Sequence, residues 1–155
     1  MQDSPELPSR LAIDSSVLIA YFLGEPEGKI AKQEILGSQH RTVHCGHLAL
    51  SETFYILCRR RNQKFALEAL ETLEKTGLLR FHQTTELDYA AGMQKCRRKI
   101  SLADCYVLAL AKNVQGSAVF AHREKDISAE LEENAPDVNV VFLEDLSKTT
   151  LFRKK

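Results

Sequence analysis

The feature that most constrains the fold is the alternation of short apolar runs with longer segments of helical periodicity. The apolar runs fit strands at residues 11–13, 42–45, 78–81, 118–120 and 138–143. One helical pattern begins at Ser15, and further helical patterns cover residues 27–37, 48–61, 64–75, 85–97 and 103–114. Parallel strands need crossover connections, and helices supply them, so this order predicts an α/β fold. We expect a central parallel sheet of about five strands, covered by helices on both faces in three layers.

The length and composition of the chain indicate one soluble domain without a membrane segment. Its 155 residues favour a single core, and 21 basic against 21 acidic residues provide no bulk charge that would attract a polyanion. The longest apolar stretch, residues 17–23, is far below the ~20 residues that cross a bilayer. We therefore predict a cytoplasmic protein with a flexible lead (1–9), a single domain (10–146) and a basic tail (147–155).

Three acidic residues occupy positions that the predicted fold brings to one edge of the sheet. Asp14 directly follows the first strand, Glu52 lies in the helix after the second strand, and Asp104 opens a later helix. The ligand crevice of an open parallel sheet lies beyond the carboxyl ends of its strands, so these acids are candidate site residues. Each also has a simpler interpretation. Asp14 and Asp104 suit helix N-termini, and Glu52 suits a pair with Arg59 or Arg60.

The charged segment 122–127, after the fourth strand, adds two carboxylates, Glu124 and Asp126, which a solvated loop would explain equally well. Two carboxylates ~4 Å apart repel by roughly 4 kcal/mol at an effective dielectric near 20. Three or four that converge therefore need a cation or protons. Oxygen ligands without a matched set of histidines or cysteines favour Mg²⁺ or Mn²⁺ over zinc. We predict one or two such ions.

Three segments resemble the acidic motifs of PIN domains. They are residues 14–21 (DSSVLIAY), 50–57 (LSETFYIL) and 101–105 (SLADC). Their order, spacing and hydrophobic context are similar to those of small prokaryotic members, especially the VapC-type toxin ribonucleases and archaeal PIN proteins. The resemblance spans most of the chain, and it is carried by the ordered set more than by any single motif.

The resemblance implies a five-stranded parallel sheet between helices and a metal-dependent endoribonuclease activity that hydrolyses RNA. It also implies a homodimer and, for toxin members, an antitoxin whose tail blocks the acidic pocket. By position, Asp14, Glu52 and Asp104 match the metal-binding and catalytic acids of the family. Ser16 matches the small hydroxyl residue that supports the first of them.

The fourth acidic motif departs from the family pattern, which has a threonine, one spacer and an aspartate after the fourth strand. A gap-free match places Ala121 and Arg123 at those positions. A shift of one residue makes Glu124 the fourth acid and leaves Asp126 in reserve. The departure puts the completeness of a second metal site in question.

Two basic runs, residues 59–61 and 97–99, are candidates for contacts with the RNA backbone. We select Arg59, Arg60 and Arg98 as substrate-binding residues, although solvated helix ends explain each of them more simply. Metal-assisted hydrolysis requires no histidine base. The histidines near the predicted strand ends are therefore interpreted as ordinary polar residues; they are His44, His47 and His122.

Two other functions compete with the nuclease hypothesis. The first is a PIN scaffold that has lost turnover and binds RNA or a protein partner, which Ala121 and Arg123 at the fourth motif favour. The second is a phosphoacceptor receiver domain, another α/β fold with acids at its strand ends. A receiver carries its acceptor aspartate at the end of a middle strand, whereas the central acid here, Glu52, lies inside a helical segment.

Overall fold

The strands of this computed structural model, which describes residues 7–152, form one parallel sheet. They are β1 (Arg10–Ile13), β2 (Thr42–Gly46), β3 (Leu79–His82), β4 (Ser117–Phe120) and β5 (Val140–Phe142). Their order in the sheet is β3-β2-β1-β4-β5, and all four neighbouring pairs are parallel. The predicted α/β class and the five-stranded parallel sheet are confirmed.

Helices connect every pair of consecutive strands. They are α1 (Ser15–Leu23), α2 (Pro26–Ile30), α3 (His47–Arg60), α4 (Gln63–Thr76), α5 (Thr85–Arg97), α6 (Leu102–Asn113), α7 (Lys125–Glu133) and α8 (Leu143–Phe152). A π-helical segment, Ala31–Leu36, continues directly from α2. None of the helices within residues 7–152 combines the length and the apolar character that crossing a membrane requires.

Two apolar cores cover the two faces of the sheet, because successive strand side chains point to opposite sides. Leu11 and Ile13 of β1 pack with buried residues of α1, the π-helical segment and α4. Ala12, between them, belongs to a second cluster that is built largely from α5 and α6. The molecule therefore has three layers, α/β/α, as the sequence predicts.

The strand order places a topological switch point between β1 and β4. From β1 the chain adds β2 and then β3 on one side of the sheet, and later returns to add β4 on the other side. Ile13 is in register with Val119, and the backbone N–H of Asp14 donates to the carbonyl of Val119 at 2.9 Å. Connections leave such a point in opposite directions, so a crevice opens beyond the strand ends there.

The C-terminal part of the structure differs from the sequence prediction. The predicted strand 138–143 is shortened at both ends, to Val140–Phe142, and Leu143 begins α8. In the first turn of α8 the N–H of Glu144 donates to the carbonyl of Ala121 at 3.0 Å. Helix α8 then runs past the predicted domain end at residue 146.

The predicted lead and tail lie partly outside the described residues, which exclude 1–6 and 153–155. Within the predicted lead, Leu7 is buried and its carbonyl accepts hydrogen bonds from the guanidinium of Arg41. The backbone N–H of Thr42 also donates to the carbonyl of Ser9 at 2.8 Å. Residues 7–9 thus pack against the start of β2.

Candidate active site

Asp14 connects the end of β1 to the start of α1. Its side chain is the N-cap of α1, with Oδ2 accepting the N–H of Ser16 at 3.0 Å. Only 8% of the residue is exposed. The hydroxyl of Ser16 in turn accepts the N–H of Ala121 at 3.0 Å, which ties the end of β4 to α1. The capping interpretation of Asp14 is therefore correct, and the same cap holds its carboxylate at the switch point.

Glu52 reaches the same place from α3. The hydroxyl of Ser15 donates to its Oε1 at 3.4 Å, across 37 residues of sequence. The alternative pairing with a neighbouring arginine is not observed: the guanidinium of Arg59 lies over the ring of Tyr55 at 5.1 Å, and Glu52 forms no ion pair among the described residues.

Asp104 lies in the first turn of α6, and its backbone N–H donates to the hydroxyl of Ser101, the N-cap, at 3.1 Å. The Ser-x-x-Asp spacing therefore caps this helix, as the simpler interpretation proposed. The carboxylate of Asp104 is still a candidate ligand, because the first turn of α6 borders the same crevice as Asp14 and Glu52.

The start of α7 contributes both candidates for the fourth acid, Glu124 at its N-cap and Asp126 in its first turn. Glu124 is the N-cap residue of α7, makes no capping hydrogen bond, and lines the crevice together with Asp126. Arg123, which the gap-free match puts at the acid position, turns away. Its guanidinium pairs with Asp145 at 2.6 Å and lies 4.2 Å from the ring centre of Phe142.

The electrostatics of the acids indicate that they face one another. Burial and the neighbouring Asp14 raise the pKa of Glu52 to about 7. Burial also raises the pKa of Asp104 to about 6, with further contributions from repulsion by Asp14 and Glu124. The pKa of Asp14 is raised by burial against the opposing effect of its hydrogen bonds with Ser16. Each carboxylate is therefore costly to ionise without a counter-charge.

The acids line a cleft of about 410 Å³ at the carboxyl ends of β1 and β4. Six carboxylates contribute to its wall; they belong to Asp14, Glu25, Glu52, Asp104, Glu124 and Asp126. Two cationic side chains, Arg60 and Lys99, lie at the same wall. A negative interior with cations at its border can accept a divalent ion together with the phosphate backbone of a substrate.

The predicted substrate-binding arginines separate into three environments. Arg60 lines the cleft, whereas Arg59 is exposed on α3 beside Tyr55. Arg98 is 9% exposed; it contacts Glu130 at 3.9 Å, and its guanidinium donates to backbone carbonyls at the end of α7. These contacts link the end of α5 to the end of α7 and keep Arg98 away from the cleft wall, so the structure gives its selection for substrate binding no support.

Sequence reasoning did not select two residues that the structure brings to the site. Ser15 was interpreted only as a helix start, although its hydroxyl binds Glu52. Glu25 follows α1, and its side chain also lines the cleft. No periodicity or spacing in the chain indicates that the turn between α1 and α2 approaches the acids, since this placement depends on how the two helices pack.

The fold and the site together define a three-layer α/β/α protein with an acidic cleft at the switch point of a parallel sheet. The sequence profile of the PIN domain matches residues 11–130. The chain belongs to the PIN domain family. No match was found among curated proteins.

Solved structures with the same fold include toxins and toxin-antitoxin complexes. The sarcin-ricin loop cleaving toxin VapC20 of Mycobacterium tuberculosis is 23% identical, with a TM-score of 0.61 over 77% of this chain and 93% of that chain. A toxin-antitoxin complex from Klebsiella pneumoniae is 14% identical, with a TM-score of 0.60 over 86% of this chain and 97% of that chain. VapBC2 of Rickettsia felis, bound to a DNA fragment from its promoter, is 11% identical, with a TM-score of 0.64 over 86% of this chain and 98% of that chain. At these identities the similarity is one of fold.

The raised pKa values give an expected pH dependence for the metal-free protein. Glu52 takes up a proton in the folded state near pH 7, but in the unfolded chain only near its usual 4.5. The folded state therefore binds more protons between these values, and its stability from this source rises as the pH falls from about 8 to about 5. The Glu52→Gln variant is expected to gain less stability over this range in EDTA, as measured by urea unfolding.

Comparison with the wild-type protein removes the contribution of the other titrating groups to the pH dependence of stability. Burial lowers the pKa of His44 and His82, which share a hydrogen bond of 2.8 Å, so their contribution to stability is lost as the pH falls below about 6.5. Both proteins retain this pair, and its effect cancels in the difference between them. Equal pH slopes for the two proteins would contradict the assigned environment of Glu52.

Proposed function

We propose that this protein is a metal-dependent endoribonuclease that hydrolyses phosphodiester bonds in RNA. The observation that carries the proposal is the convergence of acids from four separate segments in one cleft. Asp14 follows β1, Glu52 lies in α3, Asp104 begins α6 and Glu124 precedes α7. Membership of the PIN domain family supports the same activity.

The residues of the cleft fit Mg²⁺ or Mn²⁺. The donor atoms are carboxylate oxygens, which these hard cations prefer, and the raised pKa values of Glu52 and Asp104 indicate a place where positive charge is favourable. Asp14, Glu52, Asp104 and Glu124 would hold one or two ions, with Asp126 in reserve. When bound, such an ion lowers the pKa of a coordinated water and offsets the charge that develops on the phosphate.

The remaining residues of the cleft orient the acids and the substrate. Ser16 keeps Asp14 in place through its N–H, and Ser15 restrains one oxygen of Glu52. Arg60 and Lys99 line the cleft and would contact phosphates of the substrate, and Arg59 precedes Arg60 on α3. Contacts of this kind weaken as salt increases, so RNA binding is expected to decrease with ionic strength.

We further propose that the enzyme is the toxin of a toxin-antitoxin pair and acts in the cytoplasm. Several proteins with this fold are toxins, or were solved as toxin-antitoxin complexes. An antitoxin tail that enters the acidic cleft would supply the counter-charge that the carboxylates need. A homodimer is also proposed, since Tyr89 and Met93 expose 72% and 56% of their surface one turn apart on α5.

The test of activity is RNA cleavage by the full chain with Mg²⁺, with Mn²⁺ and with EDTA. We expect cleavage with either ion, loss of cleavage in EDTA and recovery when excess Mn²⁺ is returned. Cleavage that continues unchanged in EDTA would contradict the proposal.

The second candidate, a PIN scaffold without turnover, is favoured by the position of Arg123. Its guanidinium binds Asp145 of α8, so the motif position that should supply an acid is committed to packing. This candidate requires RNA binding without cleavage under any of the three conditions, and the same assay with a binding measurement distinguishes the two.

A further inference from the structure

Beside the acidic cleft, three ionisable side chains from two distant segments converge on one point. Glu25 and Glu27 lie at the start of α2, and His122 lies between β4 and α7. His122 Nε2 is 3.5 Å from Glu25 Oε2, and His122 Nδ1 is 4.0 Å from Glu27 Oε1. One ligand atom from each of the three lies within 4.8 Å of the others.

Among the described side chains, these three have only one another as charged partners. The nitrogen-to-oxygen separations exceed the 2.7–3.2 Å of an ordinary N–H···O hydrogen bond. Among the side chains that the structure describes, those of residues 7–148, none hydrogen-bonds to any of the three, and no lysine or arginine pairs with either glutamate. The side chain of Glu27 is nevertheless only 13% exposed. Two carboxylates in this setting need a positive charge between them.

The backbone holds the two glutamates in place. Gly28 of α2 packs so closely on α1 that an added Cβ would lie 2.0 Å from the carbonyl oxygen of Ala20. The N–H of Glu25 also donates to the same carbonyl at 3.0 Å. Because α2 is fixed against α1, the glutamates meet His122 without a large rearrangement.

We propose that Glu25, Glu27 and His122 bind a transition-metal ion of the Zn²⁺ type, at a site separate from the four acids of the cleft. An imidazole nitrogen is a ligand that Zn²⁺ accepts readily and Mg²⁺ does not prefer. Zn²⁺ bonds of ~2.1 Å to tetrahedral ligands place those ligands ~3.4 Å apart. The 3.5 Å separation of His122 Nε2 and Glu25 Oε2 is close to this value. Glu27 faces the other ring nitrogen, Nδ1, at 4.0 Å, so its side chain has to rotate to share an ion with Nε2.

The site gives His122 a role that the sequence interpretation did not assign. Three protein ligands leave one tetrahedral position open for water or for an oxygen of another molecule. Glu25 and His122 also line the acidic cleft, so an ion held there would border the cleft. Its presence does not depend on RNA cleavage, and it is tested by binding alone.

The experiment is a Zn²⁺ titration of the full chain in millimolar Mg²⁺, followed by NMR of the histidine ring nitrogens. We expect the signal of His122 to shift on ligation and to saturate at one equivalent. Glu27→Gln is expected to raise the apparent dissociation constant at this site at least ~10-fold. His40→Gln, an exposed histidine substitution elsewhere, is expected to leave the constant unchanged.

The alternative is that His122 pairs with the two glutamates directly and no metal ion binds. In that case its ring signals would not respond to Zn²⁺, and Glu27→Gln would not alter Zn²⁺ binding. Either result would overturn the site. The His44–His82 pair is a possible competitor for Zn²⁺, but its ring signals are separate from those of His122. Should Glu27→Gln fail to fold, the wild-type response of His122 alone decides the question.

Discussion

Replacing Asp14 with asparagine is expected to reduce RNA cleavage at least ~100-fold while leaving the protein folded. Loss of a partner that only orients a metal ligand typically costs 10–100-fold, and a ligand itself should cost at least as much. Asparagine retains an oxygen that can accept the N–H of Ser16, so the cap of α1 is preserved. Because burial raises the pKa of Asp14, removal of its charge should not lower the melting temperature in EDTA.

The matched control for this variant is Asp137→Asn. Asp137 is an exposed carboxylate that pairs with Lys112 at 2.5 Å and does not line the cleft. Its substitution removes one negative charge without touching the site, and cleavage should remain at the wild-type rate. An Asp14→Asn protein that cleaves RNA as fast as the control would remove Asp14 from the catalytic set.

Addition of Mg²⁺ or Mn²⁺ to the metal-free protein is expected to raise its melting temperature by about 5–10 °C. A ligand that binds only the folded state, at 100 times its dissociation constant, stabilises that state by about 2.7 kcal/mol. For a chain of this length, each kcal/mol corresponds to roughly 2–4 °C. The measurement is a thermal melt in EDTA and again after metal replacement.

The double variant Asp14→Asn, Asp104→Asn is the control for the thermal shift. It lacks two of the acids that repel one another in the cleft, so it should melt at the same temperature with and without Mg²⁺. A shift of wild-type size in the double variant would place the bound ion at another site. A wild-type protein insensitive to millimolar Mg²⁺ would argue against a formed site.

The positions of Asp14, Glu52 and Asp104 were predictable because they depend on local order. An acid that follows a buried strand or opens a helix at the carboxyl edge of a parallel sheet faces the same crevice, whatever the details of packing. Glu52 could be selected because a helical wheel places it beside apolar residues such as Ile56, which also lines the cleft. The alternative, an ion pair of Glu52 with Arg59 or Arg60, could be excluded only from the contacts in the structure.

The residues whose surroundings the sequence did not indicate depend on contacts between distant segments. Arg98 stands in a basic run typical of a solvated helix end, but Glu130 and two carbonyls of the following turn bury it. Leu143 continues an apolar run that predicts a strand, yet it begins α8, where the backbone N–H of Glu144 donates to the carbonyl of Ala121. Glu25 approaches the cleft only through the packing of α2 on α1. No pattern of neighbouring residues encodes these contacts.

The shifted fourth motif remains a prediction, although the structure adds a physical reason for it. Arg123 is occupied by Asp145 and by the ring of Phe142, and Glu124 is near enough to Asp104 to raise the pKa of that residue. Both Glu124 and Asp126 border the cleft, so the choice between them depends on which one contacts a bound ion.

The most direct test of the account is a crystal structure of the protein soaked in Mn²⁺, with anomalous differences measured to locate the ion. The expected result is an anomalous peak within bonding distance of carboxylate oxygens of Asp14 and Asp104, with Glu52 or Glu124 completing the protein ligands. A cleft without an anomalous peak at saturating Mn²⁺, or carboxylates that point to separate places, would contradict the assignment of this site as a metal-dependent nuclease centre.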